Sequence, residues 1–476
     1  MSRTAGVIVI GGGAAGMVAA IAAARRGAAV TILERMPRVG KKLLATGNGR
    51  CNFANAHLSL HRFHGATPGF AGPALAAFNL EATLAFFRDL GIEPRREEAG
   101  KIFPRSGQAS AVLDVLRHEL AHRGVEIRCD AEVTSLAPCR GGWKVAMRDE
   151  TLGCCAVVLA SGGRASPQLG SNGSGYELVR PLGHRVIPPF PALTRIRVAS
   201  PFLKHIKGVK IEGVASLVPQ GRDRHRGVHI LNDTESAAAG EILFTETGLS
   251  GPPILDLSRR AGERAQRGEA TLVQLDLCPE FSASDLASLL RERFLGRRAP
   301  GGDQSRSNDG SRPVPVGLVH DGGSRFVGEG LTPSRADVSA ELALVGFLNK
   351  RLIAPVLKVA GITDPTRPAS SLGEPNILAL AAVLKGWRFE VTGTDSWTDA
   401  QVTAGGVDVA DVFPETLESR LAPGLFFAGE ILDIDGDCGG FNLQWAWSSG
   451  HLAGMGAAAR ALKSPRRPFA KEGGAR

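Results

Sequence analysis

Three glycines near the start of the chain and one acid after them have the types and spacing of a phosphate-binding turn. Gly11, Gly13 and Gly16 form a G-x-G-x-x-G pattern directly after the β-branched run 7–10, and Glu34 ends a second apolar run. Gly11 allows a sharp turn, Gly13 leaves room for a pyrophosphate, and Gly16 allows close helix packing. A carboxylate at Glu34 can accept both hydroxyls of an adenosine ribose. The pattern therefore predicts a bound dinucleotide, either FAD or NAD.

The elements that must hold these residues form one βαβ unit. The first strand is followed by an Ala-rich helix that reaches Arg26, and a second apolar strand covers 29–33. Because the helix begins at the glycine turn, its free N–H groups and its positive dipole end face the phosphates. A glycine-rich turn without a ligand is the alternative. We prefer nucleotide binding, since strand, helix, second strand and terminal acid all fall in register.

The composition is that of an ordinary globular protein. The residues are 43% hydrophobic and 22% charged. The chain length of 476 residues is enough for two or three domains. No apolar run reaches the length of a membrane span, and the N-terminal apolar region lacks a basic leader, so we expect no membrane partner and a cytoplasmic protein. The seven cysteines lack C-x-x-C spacing, and His57, His61 and His64 are irregularly spaced. We therefore expect neither a disulfide framework nor a metal site.

The formal net charge of +9 is concentrated in three stretches. Residues 25–50, 195–226 and 460–476 carry seven, eight and six Lys or Arg, respectively. A localised basic face suits a polyanion such as RNA. However, the first stretch can serve a cofactor and the last can be a solvated tail. Charge alone therefore leaves nucleic-acid binding open.

Hydrophobic periodicity predicts the elements that follow the βαβ unit. Two amphipathic helices are expected at 74–90 and 108–123. Three strands of a small meander are expected at 125–129, 132–136 and 143–147. A buried strand that begins at 156 and breaks into glycines at 163 is expected to return to the parallel sheet.

The middle of the chain has a different pattern. Antiparallel strands are predicted at 193–198, 209–218 and 227–231, and residues 388–403 are expected to rejoin them. Helices of a small subdomain are predicted at 283–295, 338–349 and 376–384. Residues 296–330 are rich in Gly, Ser, Arg, Asp and Pro, which predicts an exposed loop.

Several motifs together resemble the flavoproteins of the BaiN/RdsA family, also described as YhiN-like, within the glutathione-reductase-like FAD superfamily. The motifs are the 11–16 turn with Glu34, LATGNGRCN at 44–52, GEILFTETGLSGP at 240–252, TAGGV at 403–407, and AGE to GGFNLQ at 428–444. They extend over nearly the whole chain. Position 48 is Asn where the family pattern has Gly, and 296–330 is an insertion relative to that pattern.

The resemblance implies an α/β fold with a Rossmann-like FAD-binding domain, discontinuous in sequence and built on a parallel sheet with a βαβ unit. An inserted antiparallel β domain and a small helical subdomain complete it. We place the FAD-binding domain at 1–192 and 405–476. The β domain is expected at 193–280, with return strands at 387–404, and the helical subdomain at 281–386.

The resemblance also implies which residues contact FAD. The 11–16 loop would hold the pyrophosphate, Glu34 the ribose and Val133 the adenine side, while 46–52 and 439–444 surround the isoalloxazine. The complete predicted set is Gly11, Gly13, Ala14, Ala15, Gly16, Glu34, Arg35, Lys42, Thr46, Gly47, Arg50, Val133, Ser161, Gly162, Gly429, Glu430, Gly440, Phe441, Asn442 and Leu443. Backbone N–H groups after Gly440 would favour negative charge on the reduced ring.

The chemistry that the resemblance implies is reduction of a carbon–carbon double bond conjugated to a carbonyl. The substrate would be uridine in ribosomal RNA, giving dihydrouridine, or a small enone such as an unsaturated 3-oxo bile-acid intermediate. The basic stretch 195–226 favours RNA. A non-catalytic flavin-bearing RNA-binding protein is a third possibility. Because no second complete G-x-G-x-x-G unit follows, NAD(P)H is expected to bind only transiently as the reductant.

Cys51 is the first candidate for the residue that protonates the substrate. Three cations lie close to it in the sequence and would favour its thiolate, namely Lys41, Lys42 and Arg50. Packing of a small residue against the flavin is the alternative role for Cys51. Glu246 and Asp437 are weaker candidates for the proton donor.

Overall fold

The computed structural model describes residues 5–219, 236–295 and 338–463. The predicted loop 296–330 and the predicted strand 227–231 lie outside the described residues. So do the ends of the basic stretches 195–226 and 460–476.

The strands and helices have the following bounds. The strands are β1 Ala5–Ile10, β2 Val30–Leu33, β3 Ala54–Asn55, β4 Phe63–His64, β5 Pro94–Arg96, β6 Lys101–Pro104, β7 Glu126–Arg128, β8 Val133–Cys139, β9 Gly142–Met147, β10 Thr151–Leu159, β11 Val186–Ala192, β12 Ile196–Ala199, β13 Lys210–Pro219, β14 Ala237–Phe244, β15 Gly248–Ser250, β16 Thr271–Asp276, β17 Trp387–Thr394, β18 Val402–Val407, β19 Leu425–Phe427 and β20 Asp435–Gly436. The helices are α1 Ala14–Arg25, α2 Lys41–Ala45, α3 Gly72–Ala77, α4 Leu80–Asp89, α5 Ala109–His122, α6 Ser174–Val179, α7 Leu203–Ile206, α8 Pro252–Gln266, α9 Ala283–Leu295, α10 Ala340–Leu344, α11 Lys350–Val359, α12 Glu374–Lys385 and α13 Phe441–Lys463.

The chain divides into two compact units. The first unit contains Met1–Val198, Gly248–Thr271 and Val391–Arg476, and the second contains Ala199–Thr247 and Leu272–Glu390. The finer domain boundaries given above stay predictions.

A central sheet organises the first unit. Its strand order is β7-β2-β1-β10-β9-β8, and β19 also pairs with β10. Strands β7, β2, β1, β10 and β19 run parallel, whereas β8 and β9 form an antiparallel meander with the start of β10. Because parallel strands end at one edge of a sheet, the loops after β1, β2, β10 and β19 meet there.

Helices α1 and α13 pack closely through small residues. A Cβ added at Gly450 of α13 would lie 2.4 Å from the Ala15 carbonyl oxygen, and one at Gly454 would lie 2.2 Å from that of Ala19. Glycine at these positions therefore lets the backbone of α13 approach α1. The far C-terminal helix thereby covers the helix that carries the first glycine motif.

Several predicted elements differ in the structure. The predicted helix 74–90 is two helices, because Asn79 caps α4 by accepting the Ala82 N–H at 2.9 Å. Strand β7 pairs in parallel with β2 and is not part of the meander. Within the predicted helix 338–349 the structure forms only the short helix α10. Strand β18 pairs with β11, so only β17 returns to the inserted strands.

The second unit combines antiparallel strands with helices. Strand β13 pairs with β14, and β16 pairs with β17, both antiparallel. The ring of Trp387 lies 5.9 Å from that of Phe244 and 4.8 Å from that of Phe389, which forms an aromatic core. Helices α7 and α9 to α12 belong to the same unit. The predicted fold class, a Rossmann-like α/β domain with an antiparallel β insert and helices, is confirmed.

No single helix within the described ranges has both the length and the apolar composition needed to span a membrane. The pair Pro68–Ala77 and Leu80–Asp89, bent by 45°, meets those two criteria only when its helices are taken together.

Candidate active site

In the glycine turn after β1, two positions have no room for a side chain, and one position borders open space. Gly11 has φ +102°, and a Cβ there would lie 2.5 Å from the Ala160 carbonyl oxygen. A Cβ at Gly16 would lie 1.9 Å from the Gly11 oxygen, whereas one at Gly13 would meet nothing within 4 Å. Gly13 therefore borders open space at the first turn of α1. The N–H groups of Ala14 and Ala15 have no acceptor within the helix.

Glu34 lies at the end of β2, against this turn. Its side chain is buried, and its two oxygens accept the Gly12 N–H at 2.7 Å and the Met36 N–H at 2.8 Å. Each oxygen keeps a lone pair for a ribose hydroxyl. The Ala131 N–H donates to the Glu34 carbonyl oxygen, and the buried Val133 follows at the start of β8. This backbone contact brings the two predicted adenosine contacts close to each other.

The loops after β10 and β19 contribute the next predicted contacts. Lys42 Nζ lies 2.8 Å from Glu430 Oε2, and Glu430 Oε1 accepts the Thr403 N–H at 2.8 Å. Glu430 thus joins α2 to β18, which pairs with β11. Ser161 Oγ, directly before Gly162, is buried and has no hydrogen-bond partner among the described residues. A buried hydroxyl without a partner at this edge fits a polar group of a bound ligand.

Arg35 and Gly429 have contacts that fix neighbouring loops. Arg35 Nε donates to the Gly170 carbonyl oxygen at 3.1 Å. The Gly429 N–H donates to Ser449 Oγ at 2.9 Å, and a Cβ at Gly429 would lie 2.8 Å from Ala15 Cβ. The loop after β19 therefore lies directly on the start of α1.

The 46–52 segment has an unusual backbone. Gly47, Asn48 and Cys51 have φ of 57°, 55° and 59°. Asn visits this left-handed region more readily than most residues, which accounts for its presence at position 48 in place of Gly. Thr46 Oγ1 donates to the Leu43 oxygen at 2.6 Å, and Arg50 stacks over the Phe103 ring at 4.1 Å. The segment is thus a turn held by side-chain contacts.

Two of the three cations expected to activate Cys51 form ion pairs with other residues. Arg50 forms an ion pair with Glu97, and Lys42 forms one with Glu430. Cys51 is fully buried, and this burial raises the pKa of its thiol to about 12. The prediction of a stabilised thiolate is therefore wrong. The assignment of Cys51 as the proton donor stays a prediction without that electrostatic support.

We expect Cys51 to resist alkylation in the native protein. Burial blocks access and keeps the group as a thiol at pH 8, and only the thiolate reacts. The measurement is iodoacetamide treatment at pH 8 followed by peptide mass spectrometry, with urea-unfolded protein as the control for a reactive Cys51 peptide. Rapid labelling of Cys51 in the folded protein would contradict its burial.

The start of α13 is held against the 52–55 segment. A Cβ at Gly440, where φ is +104°, would lie 2.5 Å from the Ala54 carbonyl oxygen. Asn55 Nδ2 donates to the Gly439 oxygen, and Trp447 Nε1 donates to the Phe53 oxygen, both at 2.8 Å. These contacts hold the start of α13 against the residues that directly follow the predicted ring-binding segment 46–52, and a Cβ at Gly440 would lie 2.9 Å from Asn52 Oδ1. Helix α13 begins with three further predicted FAD contacts, Phe441, Asn442 and Leu443. Their backbone N–H groups have no acceptor within the helix.

A cluster of titratable groups precedes this helix, and sequence reasoning identified only part of it. His64 Nε2 lies 2.6 Å from Asp437 Oδ1. Asp256 Oδ1 accepts the Cys438 N–H at 2.7 Å, and burial raises the pKa of Asp256 to about 6. Asp437 was a weaker candidate, but His64 and Asp256 have no local pattern that links them to it. Glu246, the other weaker candidate, forms an ion pair with Lys207 in the second unit.

These residues fit FAD. The open space at Gly13 suits the pyrophosphate of FAD. The remaining lone pairs of Glu34 suit its ribose hydroxyls, and the unpartnered Ser161 hydroxyl suits one of its polar groups. The fold and site define a Rossmann-type FAD-dependent oxidoreductase. The chain matches the family model described as HI0933-like protein Rossmann domain over residues 5–456 and belongs to that family. The predicted family and cofactor are thereby confirmed.

Two relatives are similar over nearly the whole chain. A 3-dehydro-bile acid delta(4,6)-reductase from Clostridium scindens is 37% identical over 435 residues, covering 91% of this chain and 93% of the relative. A ribosomal RNA dihydrouridine synthase from Escherichia coli is 30% identical over 442 residues, covering 93% and 95%. Among solved structures, quinol fumarate reductase FrdA from Escherichia coli has a TM-score of 0.47 at 16% identity, covering 98% of this chain and 72% of that one.

Within the described part of the chain, no group of three or more His, Cys, Asp or Glu residues is placed to hold a metal ion.

Proposed function

We propose that this enzyme reduces a carbon–carbon double bond conjugated to a carbonyl. FAD, once reduced by NAD(P)H, supplies hydride chemistry. The observation that carries the proposal is that both relatives align over more than nine-tenths of the chain and are named for this kind of bond. The 5,6 double bond of uridine is conjugated to its 4-carbonyl, and a 4-ene of a 3-dehydro steroid is conjugated to its 3-carbonyl.

In this reaction the protein's own residues bind and orient the cofactor. The N–H groups of Ala14 and Ala15 would hold the pyrophosphate of FAD, and Glu34 would hold its ribose. The first N–H groups of α13 and the positive end of its dipole favour negative charge beside Gly440. The close contacts of 439–440 with Asn55 and Ala54 keep this helix start in place while charge develops.

Uridine in ribosomal RNA is the first proposed substrate. The net charge of +9 and the Escherichia coli relative support it. The described part of the basic stretch 195–226 is partly neutralised, because Arg195, Lys207 and Lys210 form ion pairs with acids. Three further arginines of this stretch, at 222, 224 and 226, lie outside the described residues.

A small 3-oxo enone is the second proposed substrate, and the 37% identity to the bile-acid reductase favours it. The same hydride donor and proton donor can serve both substrates, since each substrate needs a hydride and a proton on neighbouring carbons. Because the relatives are named as enzymes, the non-catalytic alternative is not retained.

Reoxidation of the reduced enzyme is expected to identify the substrate class. Purified protein is reduced anaerobically with NADH or NADPH and mixed with ribosomal RNA from cells that lack the gene, or with 4-androstene-3,17-dione. We expect the RNA to restore the oxidised flavin spectrum and to gain dihydrouridine. Binding of a polyanion also predicts a rate that falls steeply as salt increases.

The genetic control compares dihydrouridine in ribosomal RNA from cells with the wild-type gene, without it, and with Gly13→Glu. If only the steroid reoxidises the flavin and the dihydrouridine content of ribosomal RNA is unchanged in the deletion strain, the proposed substrate becomes a small enone and not RNA. Reoxidation by neither compound would contradict the proposed chemistry.

A further inference from the structure

A histidine–carboxylate pair lies directly before the start of α13. His64 ends β4, which pairs with β20 in a short antiparallel ladder, and Asp437 follows β20. The His64 Nε2 to Asp437 Oδ1 distance is 2.6 Å. The Asp437 side chain is only 17% exposed, whereas that of His64 is 36% exposed. One edge of the imidazole is thus enclosed with its partner while the ring remains accessible.

The backbone around this pair is fixed by several hydrogen bonds. The Asp437 N–H donates to the Arg62 carbonyl oxygen at 2.9 Å, and Arg62 Nη1 lies 3.2 Å from Asp437 Oδ2. Asn442 in the first turn of α13 accepts the Gly436 N–H and donates to the Gly436 oxygen, at 2.8 and 2.7 Å. The pair is therefore held in register with the helix start that is predicted to face the flavin ring.

Each oxygen of Asp437 has a separate partner. Oδ1 contacts His64 and Oδ2 contacts Arg62. Since an ionised carboxylate only accepts hydrogen bonds, Nε2 of His64 carries a hydrogen in this contact. The other ring nitrogen, Nδ1, is then the one that can give a proton when the ring is charged.

We propose that His64 donates the proton to the substrate and that Asp437 positions the His64 ring. This role rests on the proposed reduction of a conjugated double bond. In that reaction the carbon–carbon π bond breaks, a hydride from the reduced cofactor bonds to the β-carbon, and the Nδ1 proton bonds to the α-carbon. The substrate gains two electrons, the cofactor loses two, and His64 regains its proton from water.

The other titratable groups nearby are less suited to this step. Cys51 is fully buried, and its thiol pKa is about 12. Asp435 is 2% exposed, and both of its oxygens face Arg259. One oxygen of Asp256, Oδ1, already accepts the Cys438 N–H. His64 combines an accessible ring with a fixed orientation.

The test separates proton delivery to carbon from electron transfer. Reduced wild type and His64→Gln are each reoxidised by ribosomal RNA, by 4-androstene-3,17-dione and by ferricyanide. Ferricyanide accepts electrons and forms no C–H bond. We expect His64→Gln to slow reoxidation by the organic substrate about 100-fold or more, with reduction by NAD(P)H and oxidation by ferricyanide unchanged. His61→Gln is the matched control, because His61 is exposed in the same segment.

Two further measurements distinguish chemistry from a structural role. Added imidazole is expected to restore part of the organic reoxidation rate of His64→Ala. Asp437→Asn is expected to shift the His64 imidazole ¹⁵N resonance, which is identified by its loss in His64→Gln. It is also expected to slow reoxidation by the organic substrate less than His64→Gln does. Equal loss with ferricyanide, or no loss with the organic substrate, would overturn the role of His64. Failure of the wild type with both organic substrates would instead overturn the proposed function, and this role with it.

Discussion

Gly13→Glu is expected to give a folded protein that does not bind FAD. A Cβ at this position would meet no heavy atom within 4 Å apart from its chain neighbours, so the packing of α1 on the sheet is expected to be preserved. The glutamate would occupy the space beside the first turn of α1, where the dipole favours its negative charge. Two like charges about 4 Å apart repel by about 4 kcal/mol at an effective dielectric constant near 20. The FAD dissociation constant is therefore expected to rise by about 100-fold or more.

Flavin absorbance after purification and titration of the apoprotein with FAD measure this effect, and far-UV circular dichroism reports the fold. Gly16→Ala is the contrasting variant. Its Cβ would lie 1.9 Å from the Gly11 carbonyl oxygen, so it is expected to lower stability as well as FAD binding. A Gly13→Glu protein that holds FAD as tightly as the wild type would show that the pyrophosphate does not lie against this turn.

The parts of the fold that follow from sequence are those specified by local patterns. The β-branched run 7–10, the glycine turn and Glu34 predict β1, α1 and β2, and the structure contains all three. The apolar run that ends at glycines 162 and 163 predicts the return of β10 to the parallel sheet. Parallel strands that end at one edge then bring the separate glycine motifs together.

Other features depend on contacts between distant segments. The expectation for Cys51 used only neighbouring charges in the sequence, but Arg50 pairs with Glu97 and Lys42 with Glu430, and burial decides the thiol pKa. The His64–Asp437 contact joins residues 373 positions apart through strands of two residues each. Such short strands carry no periodicity, so sequence patterns do not predict them. By contrast, Asn79 is a favoured helix cap, and it was a usable signal for the break between α3 and α4.

Arg259→Leu is expected to cause a large loss of stability through Asp435. The Arg259 Nε lies 3.0 and 2.9 Å from the two oxygens of Asp435, which is 2% exposed, and Arg259 also pairs with Glu263. Removing the cation leaves a buried carboxylate without its compensating charge. Breaking a buried ion pair in this way costs about 3–5 kcal/mol. Urea denaturation at saturating FAD measures the loss. Glu263→Gln is the control, and since the Glu263 side chain is 31% exposed, we expect a cost of about 1 kcal/mol or less.

The cost of Arg259→Leu is also expected to depend on pH. Burial raises the folded-state pKa of Asp435 to about 6 and outweighs the attraction of Arg259, whereas the unfolded value is about 3.9. The stabilising contribution of this group is therefore complete below about pH 4 and is lost as the pH rises through 6. Without Arg259 the folded pKa rises further, so the loss continues to higher pH. The difference from the wild type should be small at pH 5 and largest near pH 8. Asp435→Asn added to Arg259→Leu removes the buried charge and should recover stability at pH 8. An equal cost at both pH values would assign the effect to lost packing of the Arg259 side chain.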